Sequence, residues 1–327
     1  MKQFISHQSA LEYWRRLRKL PENSFDRRCK DTLPDGSSKV GSPKVELAIF
    51  GSAGLSGLTL PIHTLVGGSG ARRASKTVKQ HVFCGETPVG CFMNIGNGLM
   101  VSSPEFCFLQ MAGQLTLVKL IELGYELCGV YSLPNVGDPN VPKRGFYNRQ
   151  PLTSVKKLGA FLGSMPGAKW LKKATHALRF LLEGSASPME TKLAMFLTLP
   201  NMLGGYKLGL PELNKRIVLP KTARKYFDKD YYVCDLFWPD KRIAVEYDSD
   251  QQHTGSVRIA SDSARRNVLD SQGIRVVTVT KQQLYSVPEL ERAARVIAGH
   301  LERRLFSNKR DFYATHHELR EQLLWDR

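Results

Sequence analysis

The sequence predicts an α/β protein of two domains. A chain of 327 residues with 42% hydrophobic side chains is long enough to bury two separate cores. Runs of β-prone residues bounded by Gly, Pro and Asp alternate with segments whose apolar residues recur at helical spacing. Residues 133–153 are rich in Pro, Gly and Asn, which is typical of a linker. We therefore expect an α+β domain over residues 1–150 and a second domain over residues 151–327.

The charge balance indicates a polyanionic partner. The chain has 47 Lys and Arg residues against 30 Asp and Glu, a formal net charge of +17 at neutral pH. Such an excess favours binding to nucleic acid, the commonest polyanion in cells, and we expect DNA to be the partner. Taken alone, the charge is also compatible with a ribosome-associated or merely basic protein.

The cysteines and the N-terminus indicate the compartment. None of the six cysteines has CxxC spacing, and several stand in apolar runs, such as Cys107 between two phenylalanines. Small buried hydrophobes in a reducing compartment have this pattern, whereas zinc sites and disulfide frameworks do not. The N-terminus has no apolar signal-peptide core, and no apolar run is long enough to span a membrane. We expect a cytoplasmic protein that does not engage a membrane.

The first domain shows both strand and helix patterns. Apolar residues at three-residue spacing predict an amphipathic helix over residues 9–20, and residues 44–66 are expected to form strands and turns. A further helix should begin after Ser103, whose hydroxyl can cap it, with Pro104 in its first turn. We expect Gly124 to end that helical stretch.

Between Pro61 and Tyr131 the chain shows an apolar strand, an Arg-containing segment, a Val-x-x-His pair, a strand ending in Ser-Pro and an apolar helix. The positions concerned are Arg72 or Arg73, Val78, His81, Val101, Ser103, Pro104 and the helix from Glu105. This order resembles the C-terminal region of AbiEi-type antitoxins and related regulators. The resemblance implies a regulatory or recognition domain. The sequence leaves open whether this domain binds DNA, a partner protein, a second copy of the chain or only the second domain. From its apolar neighbours, His81 is expected to be a structural histidine and not a catalytic one.

The second domain contains a capped helix followed by a basic run. Ser187 can cap the helix, Pro188 occupies its first turn and Glu190 stands at the third position. The basic run precedes a predicted hairpin and is expected to contact the phosphates of a nucleic acid. Phosphate contacts position a nucleic acid without reading its sequence. The residues expected to make them are Lys215, Arg216, Lys221, Arg224 and Lys225.

Three carboxylates stand at the ends of the predicted hairpin. Two apolar, β-prone runs flank the turn-forming residues 238–241. Asp235 follows the first run, and Glu246 and Asp248 follow the second, two apart and so on one face of a strand. A hairpin brings its ends together, and Asp235 should therefore lie beside Glu246. Carboxylates held this close are costly unless a cation neutralises them, and the usual one is a hard divalent metal ion.

Downstream of the hairpin, the chain continues with a His, an Asp-x-x-Arg pair, a Leu, a Gly and an apolar strand. The positions in order are Asp235, Glu246, Asp248, His253, Asp262, Arg265, Leu269, Gly273 and the strand from Ile274. This order resembles the PD-(D/E)XK nuclease superfamily, and within it the endonucleases related to very-short-patch-repair (Vsr) enzymes. The resemblance implies a restriction-endonuclease-like core, a mixed β-sheet flanked by helices.

The same resemblance implies a catalytic site. Asp235 and Glu246 would hold Mg²⁺ or Mn²⁺, and Glu190 would ligate it directly or through water, in addition to or in place of capping its helix. Asp248 would be a further ligand or would orient the attacking water. His253 would act as a general acid or base, or bind phosphate.

Two departures from the family pattern concern the general base and a turn. Asp248 stands where the superfamily usually has Lys, and Ser249 stands where this group usually has Gly. Arg265 is among the basic residues available to nucleic acid, although we expect it to pair first with Asp262 or Asp248.

The leading hypothesis is a metal-dependent endonuclease that hydrolyses DNA phosphodiester bonds, in phage defence or a toxin–antitoxin-like system. Its rival is a non-catalytic, antitoxin-like DNA-binding regulator with a degenerate nuclease fold. The non-functional alternative for the three carboxylates is a surface hairpin whose charges are solvated.

Overall fold

The structure, a computed structural model, describes residues 2–17, 28–29, 33, 58–72, 75–221, 230–248, 256–305 and 309–325. The chain divides into two compact units, Met1–Leu181 and Leu182–Arg327. Both contain mixed β-sheets flanked by helices, which confirms the α/β fold class. None of the helices in the described ranges combines the length and the apolarity that crossing a membrane requires.

The first unit is built on a six-stranded sheet with the strand order β2-β5-β6-β1-β3-β4. Neighbouring strands are antiparallel, except for the parallel pairs β1–β6 and β3–β4. The strands are β1 (Gln3–Ile5), β2 (Arg28–Cys29), β3 (Ile62–Val66), β4 (Val78–Val82), β5 (Phe92–Gly96) and β6 (Leu99–Ser102). A separate two-stranded sheet contains β7 (Tyr131–Ser132) and β8 (Tyr147–Asn148).

The helices of the first unit are α1 (His7–Arg16), α2 (Pro104–Met111), α3 (Leu117–Cys128), α4 (Val155–Gly163) and α5 (Leu171–Leu178). The first of them ends earlier than predicted, because Leu17 is already extended. The predicted start of α2 is confirmed: the Ser103 hydroxyl accepts the N–H of Phe106 at 3.2 Å, and Pro104 is in the first turn. Of the strands predicted over residues 44–66, β3 is described, whereas residues 44–57 lie outside the described ranges.

The first unit extends past the predicted boundary at residue 150 because α4 and α5 pack on α2 and α3. Leu181, the last residue of the unit, packs against Gly124 so closely that a Cβ on this glycine would lie 2.5 Å from Leu181 Cδ1. Gly124 therefore lies inside α3 and does not end it, contrary to the prediction. The linker-like residues 133–153 contain β8 and lie within the first unit.

A buried ion pair ties α1 to α3. Arg15 donates from Nε and Nη2 to the two carboxylate oxygens of Glu126, at 2.9 and 2.7 Å. The N–H of Leu133 donates to the same carboxylate at 3.0 Å, and Arg149 donates to the main-chain oxygen of Glu126 at 3.0 Å. Burial by itself raises the pKa of Glu126, but the Arg15 guanidinium, its hydrogen bond and Arg149 outweigh burial and hold that pKa below its ordinary value.

The second unit contains a four-stranded sheet with the order β12-β11-β10-β9. Its strands are β9 (Glu212–Val218), β10 (Tyr231–Trp238), β11 (Ile243–Asp248) and β12 (Arg275–Thr280). The first three are antiparallel neighbours, and β11 and β12 are parallel. The predicted hairpin is confirmed, with β10 reaching one residue into the predicted turn, so that the turn covers residues 239–242.

Helices cover this sheet and close its core. They are α6 (Pro188–Thr198), α7 (Ser256–Ser271), α8 (Lys281–Tyr285), α9 (Val287–His300) and α10 (Lys309–Arg320). Helix α6 contacts β10 and β11. A core cluster joins the hairpin to the α7–β12 connection through Leu219, Cys234, Phe237, Ala244, Leu269 and Ile274. The apolar face of α7 therefore fixes the helix on the sheet.

The C-terminal helix α10 packs into the second unit. His316 is buried and its Nδ1 donates to the carbonyl oxygen of Gly204 at 2.7 Å. Arg320 donates to the carbonyl oxygens of Leu284 and Tyr285 at 3.1 and 2.7 Å. The contacts of Arg320 satisfy main-chain oxygens at the end of α8.

Among the cysteines whose side chains the structure describes, all but one follow the prediction of buried thiols. Cys91, Cys107, Cys128 and Cys234 are free and buried, whereas Cys84 is exposed. Burial raises the pKa of Cys91 and of Cys107 to about 12, which makes these two thiols unreactive near neutral pH.

The buried ion pair predicts a large stability difference between two glutamates of α3. Glu126→Gln should lower the free energy of unfolding by roughly 3 kcal/mol, because it leaves the buried Arg15 guanidinium without a compensating charge. Glu122→Gln is the matched control: its carboxylate pairs with Lys119 nearer the surface, so its loss should cost less than about 1 kcal/mol. Urea unfolding near neutral pH measures both. Equal losses of unfolding free energy in the two variants would contradict a stabilising role for the Arg15–Glu126 ion pair.

Candidate active site

The hairpin brings Asp235 and Glu246 together, as the sequence predicted. Pairing between β10 and β11 runs from Trp238↔Ile243 to Leu236↔Val245, and the two acids occupy the next position. The N–H of Tyr247 donates to Asp235 Oδ2 at 2.8 Å, and the N–H of Asp235 approaches Glu246 Oε1 at 3.4 Å. Each carboxylate therefore accepts a main-chain N–H, which fixes its position relative to the other.

Glu190 reaches this region from the first turn of α6. Ser187 accepts the N–H of Glu190 at 3.1 Å, as predicted for the helix cap. The Glu190 carboxylate accepts the N–H of Ala186 at 2.9 Å, one residue before the position that a capping box would use. The same oxygen accepts a hydrogen bond from Asn214 Nδ2 at 2.8 Å. Glu190 thus anchors the start of its helix, and it also raises the pKa of Asp235 through its negative charge.

The acid pair is in an environment that disfavours two negative charges. Burial first, and then the charge of Glu190, raise the pKa of Asp235 to about 7, although the hydrogen bond from Tyr247 opposes this shift. Burial and the charge of Asp235 raise the pKa of Glu246 well above its usual range, against hydrogen bonds from Tyr232 and from the N–H of Asp235. Near neutral pH, the pair therefore holds at least one proton unless a cation is present.

Two residues of this site were missed by sequence reasoning. Asn214 lies on β9 between the residues paired with Cys234 and Leu236, with a left-handed φ of 47°. It links β9 to α6 through Glu190 and through the carbonyl oxygen of Gly184, 2.9 Å away. Tyr232 hydrogen-bonds Glu246, whose charge, after burial, raises the pKa of the phenol. The sequence signal for Asn214 is weak: asparagine tolerates a left-handed backbone better than most residues do.

The donor set fits a hard cation through two carboxylates. In the described ranges, no group of three or more His, Cys, Asp and Glu side chains is arranged to hold a metal ion. Of the predicted ligands, Asp235 and Glu246 lie together, and Glu190 Oε2 accepts hydrogen bonds from Ala186 and Asn214, so that ligation by all three carboxylates stays a prediction. A pair of carboxylates suits Mg²⁺, which commonly takes one or two of them together with water and phosphate oxygens.

The remaining predicted catalytic residues are not part of this pair. Asp248 is exposed at the end of β11, in register with Thr280. Its charge, together with burial and Tyr285, raises the pKa of Tyr247 to about 12. His253 lies outside the described residues.

Of the residues predicted to bind phosphate, four are described by the structure and two are not. Arg216 is exposed on β9, with its guanidinium 4.9 Å from the ring centre of Tyr231. Lys215 is paired with Glu212 at 2.6 Å, and Lys221 is exposed. Arg265 is partly buried on α7, whereas Arg224 and Lys225 lie outside the described residues.

Comparisons of the chain with protein-family models, with curated proteins and with solved structures gave no match.

The acid pair predicts a pH dependence of stability in the absence of divalent ions. Folded Asp235 has a pKa of about 7, above its unfolded value, and so the folded state holds a proton that the unfolded state releases. The free energy of unfolding should therefore fall as the pH rises from about 4 through about 7. Asp235→Asn keeps an acceptor for Tyr247 and removes the charge. At about pH 8 it should be more stable than wild type, by on the order of 1–2 kcal/mol.

Urea unfolding in chelator at about pH 5 and about pH 8 measures this difference. Asp240→Asn is the control, because Asp240 is exposed in the turn of the same hairpin. The control should follow wild type. If the stability of Asp235→Asn depended on pH as that of wild type does, the pKa of Asp235 would not be raised in the folded protein, which would contradict the prediction.

Proposed function

We propose that the second unit is a metal-dependent endonuclease that hydrolyses DNA phosphodiester bonds, with Mg²⁺ or Mn²⁺ as cofactor. The observation that carries this proposal is the partly buried pair Asp235 and Glu246, linked through main-chain N–H groups although burial and repulsion oppose their ionisation. A structural role alone would be served better by one charge or none, because a half-compensated buried charge costs stability. A site that awaits a divalent cation accounts for both charges.

The arrangement of elements supports the same class. Along the chain the order is α6, β9, β10, β11, α7, β12, with β11 and β12 parallel. Asp235 and Glu246 lie where the β10–β11 hairpin packs against α6, and β12, which follows α7, completes the sheet. Both features are expected from the resemblance to PD-(D/E)XK nucleases of the Vsr-related group, and we therefore propose a restriction-endonuclease-like core for residues 182–327.

The proposed roles follow from the contacts. Asp235 and Glu246 would hold the ion, which supplies positive charge to the scissile phosphate and lowers the pKa of a water molecule. Tyr232 holds Glu246 by its hydrogen bond, and Glu190 adds negative charge beside Asp235. Asp248 would orient water from the end of β11.

His253 keeps its proposed role of general acid or base. We propose the same setting that the sequence suggested: a cytoplasmic component of phage defence or a toxin–antitoxin-like system, in which the AbiEi-like first unit would contact a partner protein or a second copy.

One observation favours the rival function, a DNA-binding regulator that does not cut. Asp248 occupies the position at which the resembled superfamily usually has Lys, so the site lacks that positive charge. A protein of this kind would bind DNA through its basic surface and leave the plasmid intact.

The nuclease proposal predicts metal-dependent plasmid cleavage. Wild type with Mg²⁺ or Mn²⁺ should nick or cut supercoiled DNA, and chelator should abolish this. Asp235→Asn and Glu246→Gln should each lower the rate roughly a hundredfold or more, since several kcal/mol of charge stabilisation depend on the ion. Asp240→Asn should cut like wild type.

A second readout separates metal binding from chemistry. Mn²⁺ should raise the melting temperature of wild type and Asp240→Asn, but not of Asp235→Asn. If wild type binds DNA but neither cuts it nor responds to Mn²⁺, the regulatory function replaces the nuclease. Cleavage that survives in both site variants would refute the hairpin site.

DNA affinity should depend on the exposed basic residues around β9. Arg216→Met should weaken binding to all duplex sequences alike and lower the slope of log affinity against log salt by about 0.9, the value for one phosphate contact. Lys221→Met should do the same. The control is Arg292→Met on α9, which removes the same charge from a helix that packs against β12, at the other edge of the sheet. Equal slopes in Arg216→Met and Arg292→Met would exclude a specific role for β9.

A further inference from the structure

The first unit contains a second site, unrelated to the acid pair. A cavity of about 280 Å³ lies beside β4, bounded by the first residue of α1, by α2 and by the residues just before α5. We call it the histidine pocket. The residues that matter to its chemistry are His7, Arg72, Lys79, His81, Lys169 and Trp170.

Two histidines from distant parts of the chain form one wall. The rings of His7 and His81 are stacked, with centroids 3.7 Å apart and an angle of 18° between their planes. His81 Nε2 lies 3.2 Å from His63 Nδ1 on the neighbouring strand β3. The N–H of His7 donates to Gln110 Oε1 at 3.0 Å and holds the start of α1 over α2.

This wall does not suit a metal ion. Stacked imidazoles direct the lone pairs of their nitrogens within two parallel planes and do not converge on one point between the rings. No metal-holding group of three such side chains occurs in the part of the chain that the structure describes, and the histidine pocket lies within it.

The charge of the pocket is positive and comes from its lysines and arginine. Burial, then His81 and His63, lower the pKa of His7 to about 2. Burial, then His63, Lys79 and Arg72, lower the pKa of His81 to about 4. Both imidazoles are therefore neutral near pH 7. None of the described residues that line the cavity is an Asp or a Glu.

An aromatic surface stands next to these cations. Trp170 is 45% exposed and adopts a left-handed φ of 68° just before α5. Its indole lies against Gly113, where a Cβ would be 2.5 Å from Trp170 Nε1. The Lys169 ammonium lies 5.3 Å from the centre of the indole ring. A glycine thus admits the indole, and a flat apolar face and a positive charge occur side by side.

The geometry points to a binding site for a phosphorylated nucleoside, either free or at the end of a nucleic-acid strand. Arg72, Lys79 and Lys169 supply the charge for a phosphate, which cationic side chains bind strongly through charge-assisted hydrogen bonds. Trp170 supplies a face on which a base can stack. The volume is at the small end of the range for ligand pockets, which suits one nucleotide and excludes a duplex.

The test uses the full-length protein and isothermal titration calorimetry. The probes are the four nucleoside monophosphates, the corresponding nucleosides and inorganic phosphate. Wild type should bind at least one monophosphate, more tightly than its nucleoside and more tightly than phosphate. The imidazole NMR signals of His7 and His81 should shift on binding, which places the ligand in the histidine pocket.

Charge and stacking can be separated by substitution. Lys79→Met and Lys169→Met should each weaken binding of the monophosphate about tenfold, the loss expected for one charge-assisted hydrogen bond. Lys172→Met, an exposed lysine of α5 outside the pocket, should bind like wild type. Trp170→Ala should weaken the monophosphate about tenfold and leave binding of inorganic phosphate unchanged.

The two sources of the ligand are distinguished with short oligonucleotides. If the ligand is a strand end, a 5′-phosphorylated trinucleotide should bind more tightly than the monophosphate and than the same trinucleotide without its phosphate. If it is a free nucleotide, the monophosphate should bind more tightly than both trinucleotides.

Three results would overturn the inference. They are the absence of both heat and histidine shifts with all monophosphates, equal affinities in Lys79→Met and Lys172→Met, and phosphate binding as tight as that of the nucleotide.

Discussion

Two carboxylates that repel each other are kept side by side because the main chain of their own hairpin hydrogen-bonds them. Tyr247 donates its N–H to Asp235, and Asp235 presents its N–H to Glu246. The pairing of β10 with β11 determines where these N–H groups lie, since a slip of one residue would turn the side chains to the opposite face of the sheet. The candidate active site therefore depends on the register of the hairpin, and the buried core under it keeps that register.

The neighbouring elements act on the same point. Asn214 on β9 hydrogen-bonds Glu190 on α6, and the charge of Glu190 acts on Asp235 on β10. The sequence had left two roles open for Glu190, helix capping and a place at the metal site. In the structure the Glu190 carboxylate hydrogen-bonds Ala186 and Asn214 at the start of α6, and its charge adds to burial in raising the pKa of Asp235, whereas its place at a metal site stays a prediction. A helix start positioned in this way restricts the rotamers of Glu190 and so fixes the local field.

Local patterns predicted what local chemistry determines. The hairpin, the contact of Asp235 with Glu246, and the caps of α2 and α6 all follow from residues a few positions apart. Features that depend on distant contacts were not predictable. Glycine is common at helix ends, but Gly124 lies inside α3, where Leu181 packs on it. The same contact is part of the first unit, which extends past the predicted linker. His81 was expected to be structural from its apolar neighbours, and nothing in a single sequence shows that it stacks on His7.

The two candidate sites show the same physical rule with opposite signs. In the second unit, burial raises the pKa of Asp235 and opposes its negative charge, and the proposed cation would offset this cost. In the first unit, burial and nearby cations lower the pKa of His81 and keep it neutral, and the positive charge that the proposed anion would meet comes from Arg72, Lys79 and Lys169. At each of the two proposed sites, a ligand of the opposite charge would therefore relieve an electrostatic cost that the folded chain already carries.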